Sequence, residues 1–296
     1  MKKLYGVTTA MTTPFDQKDQ INEDALREHV RFLIEKGVNC LYPLGTTGEM
    51  LRLSVEERKK VAETVVDEAA NRAVVYIHCG AMRQEDTIAL AQHAEKIGAD
   101  GAGVVTPVFF GVNDREMETY YSTVAQSVSK DFPLYLYGIP QCAANDIQAD
   151  VADRLARKHD NIVGIKYSFL DLNRTIDYLQ VKDGDFSVLL GPDFLFLQGL
   201  TMGCDGCVSG ISSVYPEPFV AIYKAYLAGD IKEAEKQQKI AVKYIRALRS
   251  GSNMAYFKAG QHYRGLTETH MRAPQLDLLD QEKADLIKEL QSIGAY

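Results

Sequence analysis

A (β/α)8 TIM barrel of the α/β class, with an appended C-terminal helical layer, is the fold this sequence predicts. Three observations carry it. Eight short, β-branched runs recur along the chain and are nearly continuous in apolar character, as strands buried on both faces are. Amphipathic runs of helical period separate them. The length, 296 residues, suits a barrel of roughly 250 residues plus additions. A doubly wound open sheet is the structural rival. The regular count, and the polar residues that follow several strands, favour closure.

The strands are expected at Gly6–Thr12, Cys40–Pro43, Val74–His78, Gly101–Val105, Leu134–Tyr137, Ile162–Lys166, Ser187–Leu190 and Gly206–Ser209. In the first helical run Leu26, Val30, Leu33 and Ile34 share one face, with Asn22 placed to cap its start and Gly37 its end. The second opens with Ser54 and Glu57 at capping-box spacing. Further helices are expected over Gln84–Ile97, Asp114–Lys130, Gln148–Lys158, Asp171–Val181, Asp193–Met202 and Pro216–Leu227. Beyond the eighth strand only helical patterns follow, at Asp230–Ser250, Met254–Tyr263 and Asp280–Ile293. No Pro/Gly/Ser-rich linker precedes them. Residues 1–228 therefore read as the catalytic barrel, and 229–296 as helices packed on it rather than an independent domain.

Bulk properties narrow the function. Composition is that of a globular protein, 46% hydrophobic and 25% charged. A net charge of −7 argues against nonspecific binding to nucleic acid or to an anionic membrane. No run of 18 apolar residues spans a bilayer, and no signal-peptide core follows the first residues, so a cytoplasmic location is expected. Five cysteines at irregular spacing read as reduced thiols. Cys204 and Cys207 have CxxC spacing but no second Cys/His pair, so no metal and no cofactor are expected.

In such a barrel chemistry happens at the carboxyl ends of the strands. Gly45-Thr46-Thr47-Gly48-Glu49 follows strand two, Thr106-Pro107 strand four, Gly191 and Asp193 strand seven, and Ser209-Gly210 strand eight. His78 ends strand three and could face the mouth. Lys166 closes the apolar run Ile162–Ile165. Desolvation there favours the neutral amine, which can attack a carbonyl. The bland alternative is a strand-end lysine reaching to solvent. Tyr137 ends the neighbouring strand, roughly 4.8 Å away, and could relay the protons that imine formation needs; it is also one of sixteen tyrosines, most of them packing residues. The Gly-Thr-Thr-Gly-Glu loop can present N–H groups and hydroxyls to a carboxylate, or be an ordinary turn. Glu49 fits an anchor of that loop better than an acid–base group.

Gly45–Glu49, Tyr137-Gly138-Ile139-Pro140 and Gly164-Ile165-Lys166 occur in order at matching spacing. On these motifs the chain resembles the dihydrodipicolinate synthase / N-acetylneuraminate lyase family over essentially its whole length. The resemblance implies a Schiff-base lysine at Lys166, a catalytic tyrosine at Tyr137, Thr46 in the hydroxyl relay, and Thr47 on the pyruvate carboxylate. Gly45 belongs to the same carboxylate-binding loop. Gly191 and Ile211 would line the pyruvate pocket. A homotetramer, a dimer of dimers, is also implied, with Phe109 or Phe110 as the apolar residue contributed across an interface.

Departures from the family pattern bear on the second substrate. Thr106-Pro107-Val108-Phe109-Phe110 lacks the phenol that the synthases carry after Thr-Pro. Cys142 stands where they place an arginine, and Gly138 replaces their asparagine. Asp193-Phe194 replaces the Asp-Glu of sialic-acid lyases, and Ile139 stands where sugar-acid aldolases of the family can have a tyrosine. The expectation is a class I aldolase that reversibly cleaves a 2-keto-3-deoxy sugar acid, or a similar pyruvate aldol, to pyruvate and an aldehyde. Synthase activity on aspartate semialdehyde is the alternative, with Arg264 or Arg272 as cations that could fold into the mouth. A non-catalytic keto-acid-binding homologue is the rival of a different class.

Overall fold

The computed structural model describes residues 1–294. Eight parallel strands close on themselves in sequence order, and the first pairs with the last. They are β1 (Gly6–Ala10), β2 (Cys40–Tyr42), β3 (Val74–His78), β4 (Gly101–Val105), β5 (Leu134–Gly138), β6 (Ile162–Tyr167), β7 (Ser187–Leu190) and β8 (Gly206–Ser209). Each expected strand is present. β1 and β2 stop short of Thr12 and Pro43, while β5 and β6 each run one residue further.

The helices return the chain to the bottom of the barrel: α1 (Glu23–Glu35), α2 (Val55–Ala69), α3 (Gln84–Lys96), α4 (Asp114–Gln126), α5 (Pro140–Ala143), α6 (Ala149–Lys158), α7 (Leu172–Tyr178), α8 (Phe196–Met202) and α9 (Pro216–Leu227). The Asn22 side chain accepts from Ala25 N–H, and Ser54 with Glu57 forms a complete capping box. α4 ends at Gln126 rather than Lys130, and α7 is shorter at both ends than its pattern predicts. The run from Asp193 breaks into a 3₁₀ turn, Asp193–Leu195, before α8. The short α5, opened by Pro140, has too few residues to show a helical period and escapes the sequence. Three more helices, α10 (Ile231–Ala247), α11 (Met254–Tyr263) and α12 (Asp280–Ser292), form the terminal layer.

Side-chain alternation builds two cores. Outward residues such as Leu41, Ile77, Val104 and Ile165 pack under the helices. Inward ones, including Cys40, Tyr42, Tyr76, Tyr135 and Leu189, fill the barrel. Tyr76 meets Tyr135 edge to face at 5.3 Å between centroids. The Tyr135 hydroxyl donates to Ser187 Oγ at 2.7 Å. These side chains fill the barrel interior below its mouth.

One irregularity positions the site. Leu134 pairs with Ile162 but Tyr135 pairs with Gly164, so Val163 is an extra residue in β6. Val163 belongs to the inner core. Beyond the bulge the facing is reset, Tyr137 pairs with Lys166, and both point into the barrel mouth.

Candidate active site

A cavity of about 310 Å³ opens at the carboxyl end of the strands. Thr46, Thr47, Tyr137, Lys166, Gly191 and Asp193 all line it. These residues come from four different strand ends, as the barrel's architecture dictates. Lys166 is 4% exposed and makes no hydrogen bond or ion pair among the described residues. Its Nζ lies 4.0 Å from the centre of the Tyr137 ring and 5.0 Å from that of Tyr42. The Tyr137 hydroxyl is 3.3 Å from Thr46 Oγ1. Lysine, phenol and threonine therefore form one cluster. The Thr47 hydroxyl is unpartnered among the described residues and faces Gly210.

The loop that carries the threonines is tightly wound. Leu44 and Glu49 both adopt left-handed backbone, with φ of 67° and 59°. At Gly48 a Cβ would lie 2.7 Å from Leu44 N, so only glycine fits. Glu49 closes the turn through a buried ion pair with Lys258 of α11, 2.7 Å long, and a 2.5 Å contact to Arg52. Burial pulls the Lys258 ammonium below its ordinary range, and the Glu49 charge opposes that pull. Glu49 is thus the anchor its position implies, and the terminal helical layer is part of the site's support. Lys258 has no motif around it and was not legible in the sequence.

Several of the residues singled out in the sequence lie outside this cavity. Gly45 does not line the cavity; its carbonyl accepts from Met50 N–H at 3.3 Å inside the loop. Ile211 is buried behind the site, and only its backbone N–H faces the Asp193 carboxyl. Phe109 and Phe110 are each 74% exposed, stack edge to face at 5.0 Å, and line no part of this chain's own cavity. His78 does not reach the mouth. Its Nδ1 faces the Leu44 carbonyl at 3.0 Å, beneath Arg58, and burial drives its pKa far below the usual imidazole range. Arg264 is bonded to Glu217, and Arg272 to Glu57; neither lines the cavity. Cys204 and Cys207 are separate, buried thiols.

Two site groups are prominent only in three dimensions. Tyr42 presents its ring to Lys166, while its hydroxyl is buried without a partner. Asp193 has Oδ1 buried and unpartnered. Burial pushes its carboxyl up to about 7, against the opposing Ser209 hydroxyl and Lys166 charge.

A second lobe of about 220 Å³ adjoins the first and shares Thr46, Ile139 and Cys142 with it. Met50, Val105, Val108 and Met254 give it apolar walls. Its lining guanidinium, Arg52, is already engaged by Glu49.

The profile of the dihydrodipicolinate synthetase family matches residues 3–293. The chain belongs to that family. It is accordingly an enzyme, a class I lyase. A DapA-like lyase of Halobacterium salinarum is 34% identical over 294 residues, spanning 98% of this chain and 94% of that protein. A 4-hydroxy-tetrahydrodipicolinate synthase of Natronomonas pharaonis is 35% identical over 286 residues, 96% of each chain. Among solved structures, the prophage protein YagE of E. coli K12, in complex with pyruvate, superposes with a TM-score of 0.93 at 28% identity over 99% of both chains. A sialic acid aldolase of Ruminococcus gnavus gives 0.92 at 25% identity, over 99% of this chain and 98% of that one. The family resemblance and the barrel read from the sequence both hold. Among the described residues no helix is long and apolar enough to cross a membrane.

Proposed function

We propose that this enzyme is a Schiff-base aldolase that reversibly cleaves a 2-keto-3-deoxy sugar acid, or a similar pyruvate aldol, to pyruvate and an aldehyde. The observation that carries the reading is the register of Tyr137 with Lys166 at one cavity wall, with Thr46 bonded to the phenol. Lys166 Nζ attacks the keto carbon, and the keto oxygen leaves as water. The resulting iminium draws electrons from the C3–C4 bond as it breaks. The C4 hydroxyl gives its proton to Tyr137 and becomes the aldehyde, while C2–C3 becomes an enamine. Protonation at C3 and hydrolysis release pyruvate and restore the lysine. Thr46 passes protons to and from Tyr137. The free Thr47 hydroxyl holds the substrate carboxylate.

Tail chemistry supports a neutral, hydroxylated partner. Beyond Lys166 the cavity offers Gln141, Ser168 and Asp193 as hydrogen-bonding groups, beside Ile139 and Phe194. An anionic tail would need a cation, since an unpaired buried charge is strongly unfavourable. Cys142 offers none, and Arg52 is occupied by Glu49. The second reading, condensation of pyruvate with aspartate semialdehyde, draws on the synthases among the relatives. Comparing kcat/KM for 2-keto-3-deoxy acids, sialic acid and aspartate semialdehyde decides between them. Efficient condensation with aspartate semialdehyde and no cleavage of keto-deoxy acids would reverse the ranking.

The same reading includes a homotetramer. Two separate sets of exposed apolar side chains support two kinds of subunit contact: Phe109 with Phe110 after β4, and Phe169, Leu170, Leu172 and Ile176 after β6.

A further inference from the structure

Two aromatic faces flank the Lys166 Nζ. No carboxylate, carbonyl or hydroxyl bonds its Nζ among the described residues, and the two rings at 4.0 and 5.0 Å belong to Tyr137 and Tyr42. Tyr137 has another task through its hydroxyl. Tyr42 does not: its hydroxyl is buried with no partner, so what it offers the site is the ring. The fold makes room for that ring. At Gly103 of β4 a Cβ would sit 1.8 Å from the Tyr42 hydroxyl, so any other residue there would displace the ring. His78 packs beside it at 6.1 Å between centroids.

We infer that Tyr42 is a further catalytic residue, whose ring face stabilises the positive charge that forms on the Lys166 nitrogen when carbinolamine becomes iminium. In the neutral carbinolamine, nitrogen and the former keto carbon share a single bond. The C–O bond breaks and the hydroxyl leaves as water with a proton from Tyr137. The nitrogen lone pair then closes the C=N bond, and one positive charge appears on nitrogen. The electron-rich face of a desolvated ring attracts such a cation. Because it is fixed before the reaction, it stabilises the charge as it develops, without reorganisation. The inference rests on Lys166 being the imine-forming residue, and its test separates the two claims.

The rate and extent of borohydride-trapped adduct with pyruvate are measured on the intact protein, beside the affinity for lactate. Lactate shares the carboxylate but has no carbonyl to condense. Tyr42→Leu should slow trapping by roughly 10- to 30-fold, the size of a desolvated cation–π contact, with lactate affinity unchanged. Tyr42→Phe, which keeps a ring, should recover most of the rate. Placing tri- and pentafluorophenylalanine at position 42 preserves shape while draining charge from the ring face, so trapping should fall stepwise. That series also decides the matter if the leucine variant fails to fold. Trapping that stays flat along it, or parallel losses of trapping and lactate binding, would overturn the role of Tyr42. A wild-type protein with no adduct at Lys166 would instead remove the nucleophile beneath it.

Discussion

Lys166 lies one residue before the end of the apolar strand β6 and is almost fully buried, between the rings of Tyr137 and Tyr42. Its place in the cavity was readable because a strand end and a lysine are both visible in one dimension. Tyr137 was legible for the same reason, whereas Thr46, in the loop beyond β2, was singled out by the family resemblance. Tyr137→Phe keeps the ring packed against Lys166 but removes the proton relay. The variant should bind pyruvate and form the imine roughly 10²–10⁴-fold more slowly, the usual range for a lost acid–base group. Stopped-flow imine formation checks it, and a near-normal rate would remove Tyr137 from the mechanism. Asp193 was visible as a polar strand-end residue, but its burial was not. Its carboxyl, raised to about 7, binds a proton more tightly folded than unfolded. It therefore contributes stability at low pH that is lost as pH rises from about 4 through about 7. Asp193→Asn should flatten that part of the stability profile; thermal melts from pH 4 to 8, compared with the wild type, measure the difference.

The strand elements show what one-dimensional patterns carry and where they stop. Continuous apolar runs marked all eight strands, because strands covered on both faces need them. The bulge at Val163 leaves no such mark. It depends on the partner strand, yet it decides that Lys166 and Tyr137 face the same cavity. The loop after β2 was legible through its two glycines, but its anchor, Lys258, lies more than two hundred residues away on a helix without a motif. Removing one member of a buried pair leaves the other charge short of compensation, here with Arg52 as the remaining partner of Glu49. Lys258→Met should therefore cost about 3 kcal/mol of stability and lower kcat/KM, because Thr46 and Thr47 ride on the loop that Glu49 closes. Adding Glu49→Gln should return part of the stability. Urea unfolding of both variants checks the sign; a double variant less stable than Lys258→Met would contradict the pairing.

At the scale of the whole molecule, Phe109 and Phe110 bear on assembly. The resemblance implies that one of them is contributed across an interface, and in the structure both are exposed and line no part of their own chain's cavity, as a role in a neighbouring subunit requires. Sedimentation should show a tetramer, and Phe109→Glu with Phe110→Glu should split it into smaller species with reduced activity. A wild-type monomer of full activity would refute the assembly. The substrate's tail was the least legible part, since it depends on which cations are already paired. Arg264 and Arg272 were plausible partners in one dimension and are bound elsewhere in three, while Arg52 is spent on Glu49. All of this depends on one covalent bond. Incubating the enzyme with pyruvate and borohydride, then locating the modified residue by mass spectrometry, tests it most directly. The expected result is a reduced three-carbon adduct on Lys166, absent in Lys166→Arg, whose guanidinium stays protonated. No adduct, or an adduct on another lysine, would contradict it.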